Sequence, residues 1–217
     1  MKQVSLALLL MVFTASCASA HPHVWADMRS IVLFNPDGEI TGTRVEWTFD
    51  KGYSAQATDG LDTDGDGKFS AAELAPLTAV NLSSLKTYGY FIFMRMNGQI
   101  QKFSDAIDPD QDYANGRLTL RFTIPLQHPL DPREGEFSLK VYDPEFFIDF
   151  EYPKTQGAKV SGAMPKSCHM KLTPIPTSAQ LDQTMKMLAT KGVDWKPADN
   201  EDFGGLFAQA VDIACAP

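Results

Sequence analysis

The chain reads VWADMRSIVLF over Val24–Phe34, turns at Asn35-Pro36-Asp37-Gly38, and continues ITGTRVEWTF over Ile40–Phe49. In the second arm Val45, Trp47 and Phe49 alternate with Glu46 and Thr48, the period-two pattern of a strand with one buried face. Turn chemistry between two such arms predicts a β-hairpin. The pattern repeats downstream. Residues 90–96 and 99–103 flank Asn97-Gly98, a strong short hairpin signal, and Asn115-Gly116 leads into residues 117–124 with Leu118, Leu120, Phe122 and Ile124 on one face. Residues 136–142 and 146–152 read as strands around Asp143-Pro144, with short additions at 159–162 and 170–172. Many short strands separated by Gly, Pro and Asn turns predict an antiparallel β-sandwich-like domain.

Two segments depart from this period. Residues 71–88 lack glycine and carry Leu74, Leu77, Val80 (or Ala79), Leu82 and Leu85 near helical spacing, with Ser70 as N-cap. Residues 178–189 carry Leu181, Met185 and Leu188, with Gly192 as a stop. The fold class expected is therefore mainly β with inserted helices (α+β). Residues 21–172 form a β-rich metal-binding domain with an insertion at about 51–88, and residues 173–217 form a C-terminal helical segment and tail.

Composition narrows the function. The 217 residues carry 19 Lys+Arg against 27 Asp+Glu, a net charge of −8, which leaves no basic surplus for a phosphate backbone and argues against nucleic acid as a partner. Residues 1–20, MKQVSLALLLMVFTASCASA, read as a secretory signal: Lys2, an apolar run, then the small residues Ala18-Ser19-Ala20. Cleavage after Ala20 removes Lys2 and no acid, so 18 basic residues would face 27 acidic ones, a net of −9. Export to the periplasm is expected, with no transmembrane segment in the mature chain. Cys17 offers a competing outcome as a lipid anchor, but Thr14 stands where such signals usually carry Leu. Two cysteines remain after cleavage, Cys168 and Cys215, and an oxidising compartment favours a disulfide that ties back the C-terminal segment. Such a loop would contribute roughly 3–4 kcal/mol. The competing use of Cys168 is a soft-metal cluster with Met164, His169 and Met170.

Residues 62–73, Asp-Thr-Asp-Gly-Asp-Gly-Lys-Phe-Ser-Ala-Ala-Glu, match the twelve-residue EF-hand loop. Asp62, Asp64 and Asp66 occupy positions 1, 3 and 5. Gly67 permits the sharp turn, Lys68 offers its carbonyl, Ser70 acts through water, and Glu73 closes the site with both oxygens. Ca²⁺ needs this spacing because six or seven oxygens must converge from a short chain. Phe69 has the shape to pack the loop on a core. The incoming segment, residues 51–61, contains Gly52 and Gly60, so a compact variant is expected. A single loop in an exported protein is expected to be a permanent staple rather than a switch.

Cleavage after Ala20 also exposes His21-Pro22-His23. In an extended segment both imidazoles and the α-amine project together, a donor set suited to Cu²⁺, Ni²⁺, Co²⁺ or Zn²⁺. Pro22 has no N–H to lose, so the simple amino-terminal chelate is hindered and a further ligand is needed from His128, His169, Asp143 or Asp149. The alternative is a frayed polar terminus.

With these pieces together, the chain resembles a family of exported bacterial proteins of unknown function, DUF1007. The likeness lies in His21-Pro22-His23-Val24-Trp25, Val45-Glu46-Trp47-Thr48-Phe49-Asp50, the loop 62–73, and Asn81-Leu82 before Tyr88-Gly89-Tyr90-Phe91. It continues in Gly116-Arg117-Leu118-Thr119-Leu120-Arg121-Phe122 and in Val141-Tyr142-Asp143-Pro144 with Phe146-Phe147, covering most of residues 21–172. Such proteins are often described as the periplasmic component of an uncharacterised ABC-type system. The resemblance implies transition-metal handling beside a membrane metal transporter, no established catalytic residues, and pairing of Cys168 with Cys215. The expected function is a non-enzymatic metal-binding accessory of nickel, cobalt, zinc or copper transport with a structural Ca²⁺ site. Two alternatives stand: a Ca²⁺-stabilised structural or partner-binding module without transition-metal function, and a copper oxidase using the N-terminal His with a distant one. Hydrolase motifs such as Gly-x-Ser-x-Gly are missing.

Overall fold

Two β-sheets enclose one core in the computed structural model, which describes residues 22–192, 195–198 and 201–216. The expected leader 1–20, with Cys17, and His21 lie outside the described residues. The strands are β1 (Val24–Phe34), β2 (Ile40–Phe49), β3 (Ile92–Met96), β4 (Gln99–Ile100), β5 (Ile107–Ala114) and β6 (Arg117–Leu130). They continue with β7 (Phe137–Val141), β8 (Ile148–Glu151), β9 (Ala158–Ser161), β10 (Cys168–Thr173) and β11 (Ala210–Cys215). Helices α1 (Lys51–Ala57), α2 (Ala71–Thr87), α3 (Ala179–Leu188) and α4 (Gly204–Phe207) are set between them. No helix among the described residues is long and apolar enough to cross a membrane.

The opening hairpin forms as expected, with Ala26 opposite Phe49 and Phe34 opposite Ile40. Along β1 the burial alternates, and Met28 and Val32 are fully enclosed while Trp25, Asp27 and Arg29 face outward. Ser30 also points inward, where its hydroxyl meets that of Tyr152 at 2.7 Å, so neither buried oxygen is left unmet. One sheet runs β5-β6-β2-β1-β8 with β9 also on β1, and the other runs β10-β11-β7-β3-β4. Trp47 and Phe122 from the first sheet and Leu139, Met94 and Ile213 from the second belong to one buried cluster. Burying each such side chain stabilises the fold by about 1.5–3 kcal/mol.

Several features differ from the sequence expectation. The sheets are not purely antiparallel, because β8 and β9 both pair parallel to β1. Strands β7 and β8 join different sheets, and residues 142–147 carry the chain across. Strand β6 continues past Pro125 to Leu130. Pro125 lies opposite Gly42 where the register of β2 shifts, so its missing N–H falls at an irregularity. A Cβ on Gly42 would lie 2.3 Å from the Ile124 carbonyl oxygen, which makes glycine necessary there. Strand β3 starts only at Ile92, since Tyr90 and Phe91 both adopt left-handed φ of 54° in a 3₁₀ turn.

The C-terminal segment is woven into the fold. Strand β11 lies between β10 and β7, and Cys168 and Cys215 are disulfide-bonded directly across the β10–β11 pair. Helix α3, capped by Ser178, places Leu188 in a second small core with Phe146 and Phe207.

Candidate metal centre

The loop 62–73 lies between α1 and α2. Upstream of it, Asp50 caps the start of α1 by accepting from the N–H groups of Gly52 (2.8 Å) and Tyr53 (3.0 Å). The same carboxylate accepts from the Trp25 N–H at 3.1 Å, which ties the short incoming helix to the start of β1. At the exit, Ser70 and Glu73 form a capping box on α2. Helix α2 buries Leu74 and leaves Val80 63% exposed, so its inward stripe is Leu74, Leu77, Leu82 and Leu85. Phe69 packs on Tyr113 of β5 with ring centroids 4.7 Å apart, the anchoring that its place in the loop predicts.

Between these anchors the carboxylates turn inward on the loop's own backbone. Asp62 accepts from the N–H groups of Gly65 (2.9 Å) and Gly67 (3.0 Å), Asp64 from Asp66 (3.1 Å), and Asp66 from Lys68 (2.8 Å). One oxygen each from Asp62, Asp64 and Asp66 lies within 4.8 Å of the others. Oxygens sharing one Ca²⁺ at about 2.5 Å lie at most about 5 Å apart, so the three fit a common ion. Glu73 reaches back across the loop, accepting at Oε1 from Thr63 N–H (2.7 Å) and at Oε2 from Ser70 N–H (2.9 Å). Bonds from the Ser70 backbone, the Ser70 hydroxyl and Thr63 hold its carboxyl down at about 2. None of the four carboxylates has a basic partner within 4 Å among the described residues. The arrangement gathers four carboxylates at one exposed loop with no basic side chain beside them among the described residues, a set of oxygens that could hold a cation.

The second expected site begins at His23. Its N–H donates to the Phe147 carbonyl at 2.9 Å, and its ring lies 4.8 Å from that of Phe147, so the chain is pinned here rather than frayed. Parallel pairing of Val24 with Ile148 and Trp25 with Asp149 puts His23, Trp25, Phe147 and Asp149 on one face of β1 and β8. Burial, with the nearby Glu151 charge added, pushes the Asp149 carboxyl above the usual range. Asp143 is also near, but its carboxylate already accepts from the N–H groups of Glu145, Phe147 and Ile148. Burial still raises its pKa against those three bonds.

The sequence profile of a family described as a protein of unknown function (DUF1007) matches residues 6–215. The chain belongs to the DUF1007 family. It is 24% identical over 212 residues to an uncharacterised protein of Haemophilus influenzae, covering 96% of this chain and 98% of the relative. It is also 32% identical over 94 residues to an uncharacterised 15.5 kDa protein encoded in the trpE 3′ region of Spirochaeta aurantia, covering 43% of this chain and 66% of that one.

Within this DUF1007 chain the tertiary structure separates the ligand candidates offered by sequence. His128 precedes Leu130, which pairs with Ile40 at the turn end of the hairpin, about 30 Å along β1 from His23. His169 is at that end too: Gly162 packs on Phe34, and Pro165, which packs on Gly38, accepts from the Cys168 N–H. Both histidines are thus removed from His23, while Asp149 is brought to it. Lys68 and Ser70 remain in the loop as placed by the motif. Sequence reasoning missed β5 and the cavity beneath α2. The signal for β5 was the spacing of Asp110 and Asp112, which meet Arg121 and, for Asp110, Arg44 on neighbouring strands.

Proposed function

We propose that this protein is an exported, non-enzymatic metal-binding accessory of transition-metal transport, held together by a structural Ca²⁺ at Asp62, Asp64, Asp66, Lys68, Ser70 and Glu73. The observation that carries the calcium half is the convergence of the Asp62, Asp64 and Asp66 oxygens within 4.8 Å. The loop matches the EF-hand pattern of residue types, and at its exit two motif positions, Ser70 and Glu73, form the capping box of α2. The protein works in the periplasm, where a disulfide is stable and ambient calcium is high enough to keep a lone loop filled.

The transition-metal half rests on His21 and His23, with Asp149 as the further ligand. Two imidazoles, an α-amine and a carboxylate are a donor set for Zn²⁺, Ni²⁺, Co²⁺ or Cu²⁺. A membrane metal transporter is the partner this role requires. Titration calorimetry of the processed protein tests both halves. Ca²⁺ binds with one-to-one stoichiometry, and one transition ion binds separately. The double change His21→Ala, His23→Ala abolishes the second event and spares the first. Transition-metal binding that survives that change with the same affinity and stoichiometry places the site elsewhere than His21 and His23, and no binding in the unaltered protein sinks the accessory role.

A second reading keeps calcium and drops the transition metal, leaving a structural or partner-binding module. It is favoured by one fact: among the described residues, Asp62, Asp64 and Asp66 are the group of metal-ligating side chains that converges. On that reading Ca²⁺ raises the melting temperature while the ions bind no better than to an unstructured His-Pro-His peptide. A copper oxidase has less support, because His128 and His169 sit at the opposite end of the hairpin from His23.

A further inference from the structure

Among the described residues Asp143 is the one carboxylate that is buried, 5% exposed. Taking a carboxylate out of water is costly unless hydrogen bonds replace its hydration, so a buried one is informative. Oδ1 of Asp143 accepts from the Glu145 N–H at 3.0 Å, and Oδ2 accepts from those of Phe147 (3.0 Å) and Ile148 (3.1 Å). Oxygens committed to three N–H groups are poorly placed to ligate an ion as well. The third bond continues toward β1. The peptide group between Phe147 and Ile148 gives its N–H to Asp143, and its carbonyl accepts from the N–H groups of His23 (2.9 Å) and Val24 (3.2 Å). One peptide unit therefore links the buried carboxylate to His23. Hydrogen bonding at the N–H end polarises the unit and strengthens its carbonyl as an acceptor.

The turn that carries this unit is itself held. Phe146 keeps a left-handed φ of 56°, unusual for a bulky side chain, and its N–H donates to the Asp143 carbonyl at 2.9 Å. Its ring packs on Phe207 of α4 with centroids 4.7 Å apart. Backbone in such a region persists where the surroundings over-determine it. A neutral amide could cap part of the turn, but only a carboxylate offers an acceptor oxygen on both sides. Beyond the turn Ile148 pairs with Val24 and Asp149 with Trp25, so the placing of the Phe147–Ile148 peptide sets where Asp149 stands relative to His23.

We propose that Asp143 is a positioning residue for the transition-metal site: through the Phe147–Ile148 peptide it fixes β8 against β1 and so holds Asp149 beside His23. This role rests on the transition-metal site proposed above. It makes Asp143 the support of that site rather than one of its ligands.

Titration of the processed protein with Co²⁺ tests this, read by calorimetry and by visible absorption, which reports the geometry of the bound ion. Asp143→Ala removes all three bonds. Asp143→Asn keeps an oxygen on one side only and sets an NH₂ against an N–H on the other. Alanine weakens Co²⁺ binding by roughly 10–100-fold, the usual cost of losing a group that orients a metal ligand, asparagine weakens it less, and both alter the absorption of the bound ion. Near-UV circular dichroism of each variant matches that of the unaltered chain, which a general loss of structure would not allow. If Asp143→Ala fails to fold, Asp143→Asn decides alone. Co²⁺ affinity and absorption unchanged in the folded variants, whatever their melting temperature, overturn the positioning role and leave the metal site standing. No Co²⁺ binding by the unaltered chain, or binding that survives His21→Ala with His23→Ala, overturns the metal site and the positioning role together.

Discussion

Thr63 and Glu73 stand ten positions apart in the chain, yet the Thr63 N–H donates to Glu73 Oε1 at 2.7 Å and closes the loop between them. The other oxygen, Oε2, accepts from Ser70, so one side chain both caps α2 and bridges the loop's ends. These two tasks respond differently to substitution. Glu73→Gln keeps a residue able to complete the capping box but loses the charge that strengthens its bonds to Ser70 and Thr63, so the calcium-free melting temperature falls only modestly near neutral pH. Calcium affinity, which needs the charge and both oxygens, falls by roughly 100-fold, or about 2.7 kcal/mol. Calorimetry and a calcium-free melt on the same preparation separate the two effects.

The same carboxylate gives the calcium-free protein an acid-sensitive element. Its pKa is lowered from the ordinary 4.5 to about 2 in the folded chain. A lowered folded value means that its contribution is fully present above pH 4.5 and is lost as pH falls toward 2. In urea unfolding at descending pH, the stability difference between the native chain and Glu73→Gln should shrink through that window. A difference that stays constant from pH 5 to pH 2.5 would show that Glu73 is not held by Ser70 and Thr63.

The disulfide joins Cys168 to Cys215 across a sequence separation of 47 residues. Cys168→Ser with Cys215→Ser should lower unfolding free energy by roughly 3–4 kcal/mol in the chain-entropy account. Strands β10 and β11 pair through six residue positions, from Cys168–Cys215 to Thr173–Ala210, so the fold should survive at moderate temperature. Denaturant midpoints of the oxidised and doubly substituted chains measure the loss.

Gly204 is tested by its contrast with Gly192. A Cβ on Gly204 would lie 1.8 Å from the Asp143 carbonyl oxygen, whereas nothing lies within 4 Å of one on Gly192. Gly204→Ala should therefore cost about 1–3 kcal/mol by forcing the Asp143 turn away from α4. Gly192→Ala should be close to neutral. Thermal melts compare the two, and a neutral Gly204→Ala would mean that the 142–147 crossover yields easily.

Much of the fold was legible because much of it is local. The hairpin of β1 and β2, the Asn97-Gly98 turn, α2 with its Ser70 cap, and α3 with its stripe of Leu181, Met185 and Leu188 were each carried by turn residues, caps or periodicity within about twenty residues. The gathering of Asp62, Asp64 and Asp66 in the loop 62–73 was legible for the same reason, since the three lie in one short run. Strand β5 was hidden because its stabilising partners, Arg44 and Arg121, come from other strands and its own residues, IDPDQDYA, carry no apolar alternation. Strand β11 was hidden because its apolar pair, Val211 and Ile213, gains meaning only between β10 and β7. Asp149 could not be preferred over His128 or His169 as a neighbour of His23 until the parallel register of β1 and β8 was known.

By itself, then, the amino-acid order determined the hairpins, the capped helices and the spacing of Asp62, Asp64, Asp66 and Glu73, because hydrogen bonds between near neighbours and side-chain periodicity act within a segment. Only the tertiary structure decided that β7 and β8 part into different sheets, that β8 and β9 run parallel to β1, and that Trp47 of β2 and Leu85 of α2 come to line one cavity. Those outcomes depend on which distant surfaces bury one another, and no local preference encodes that choice.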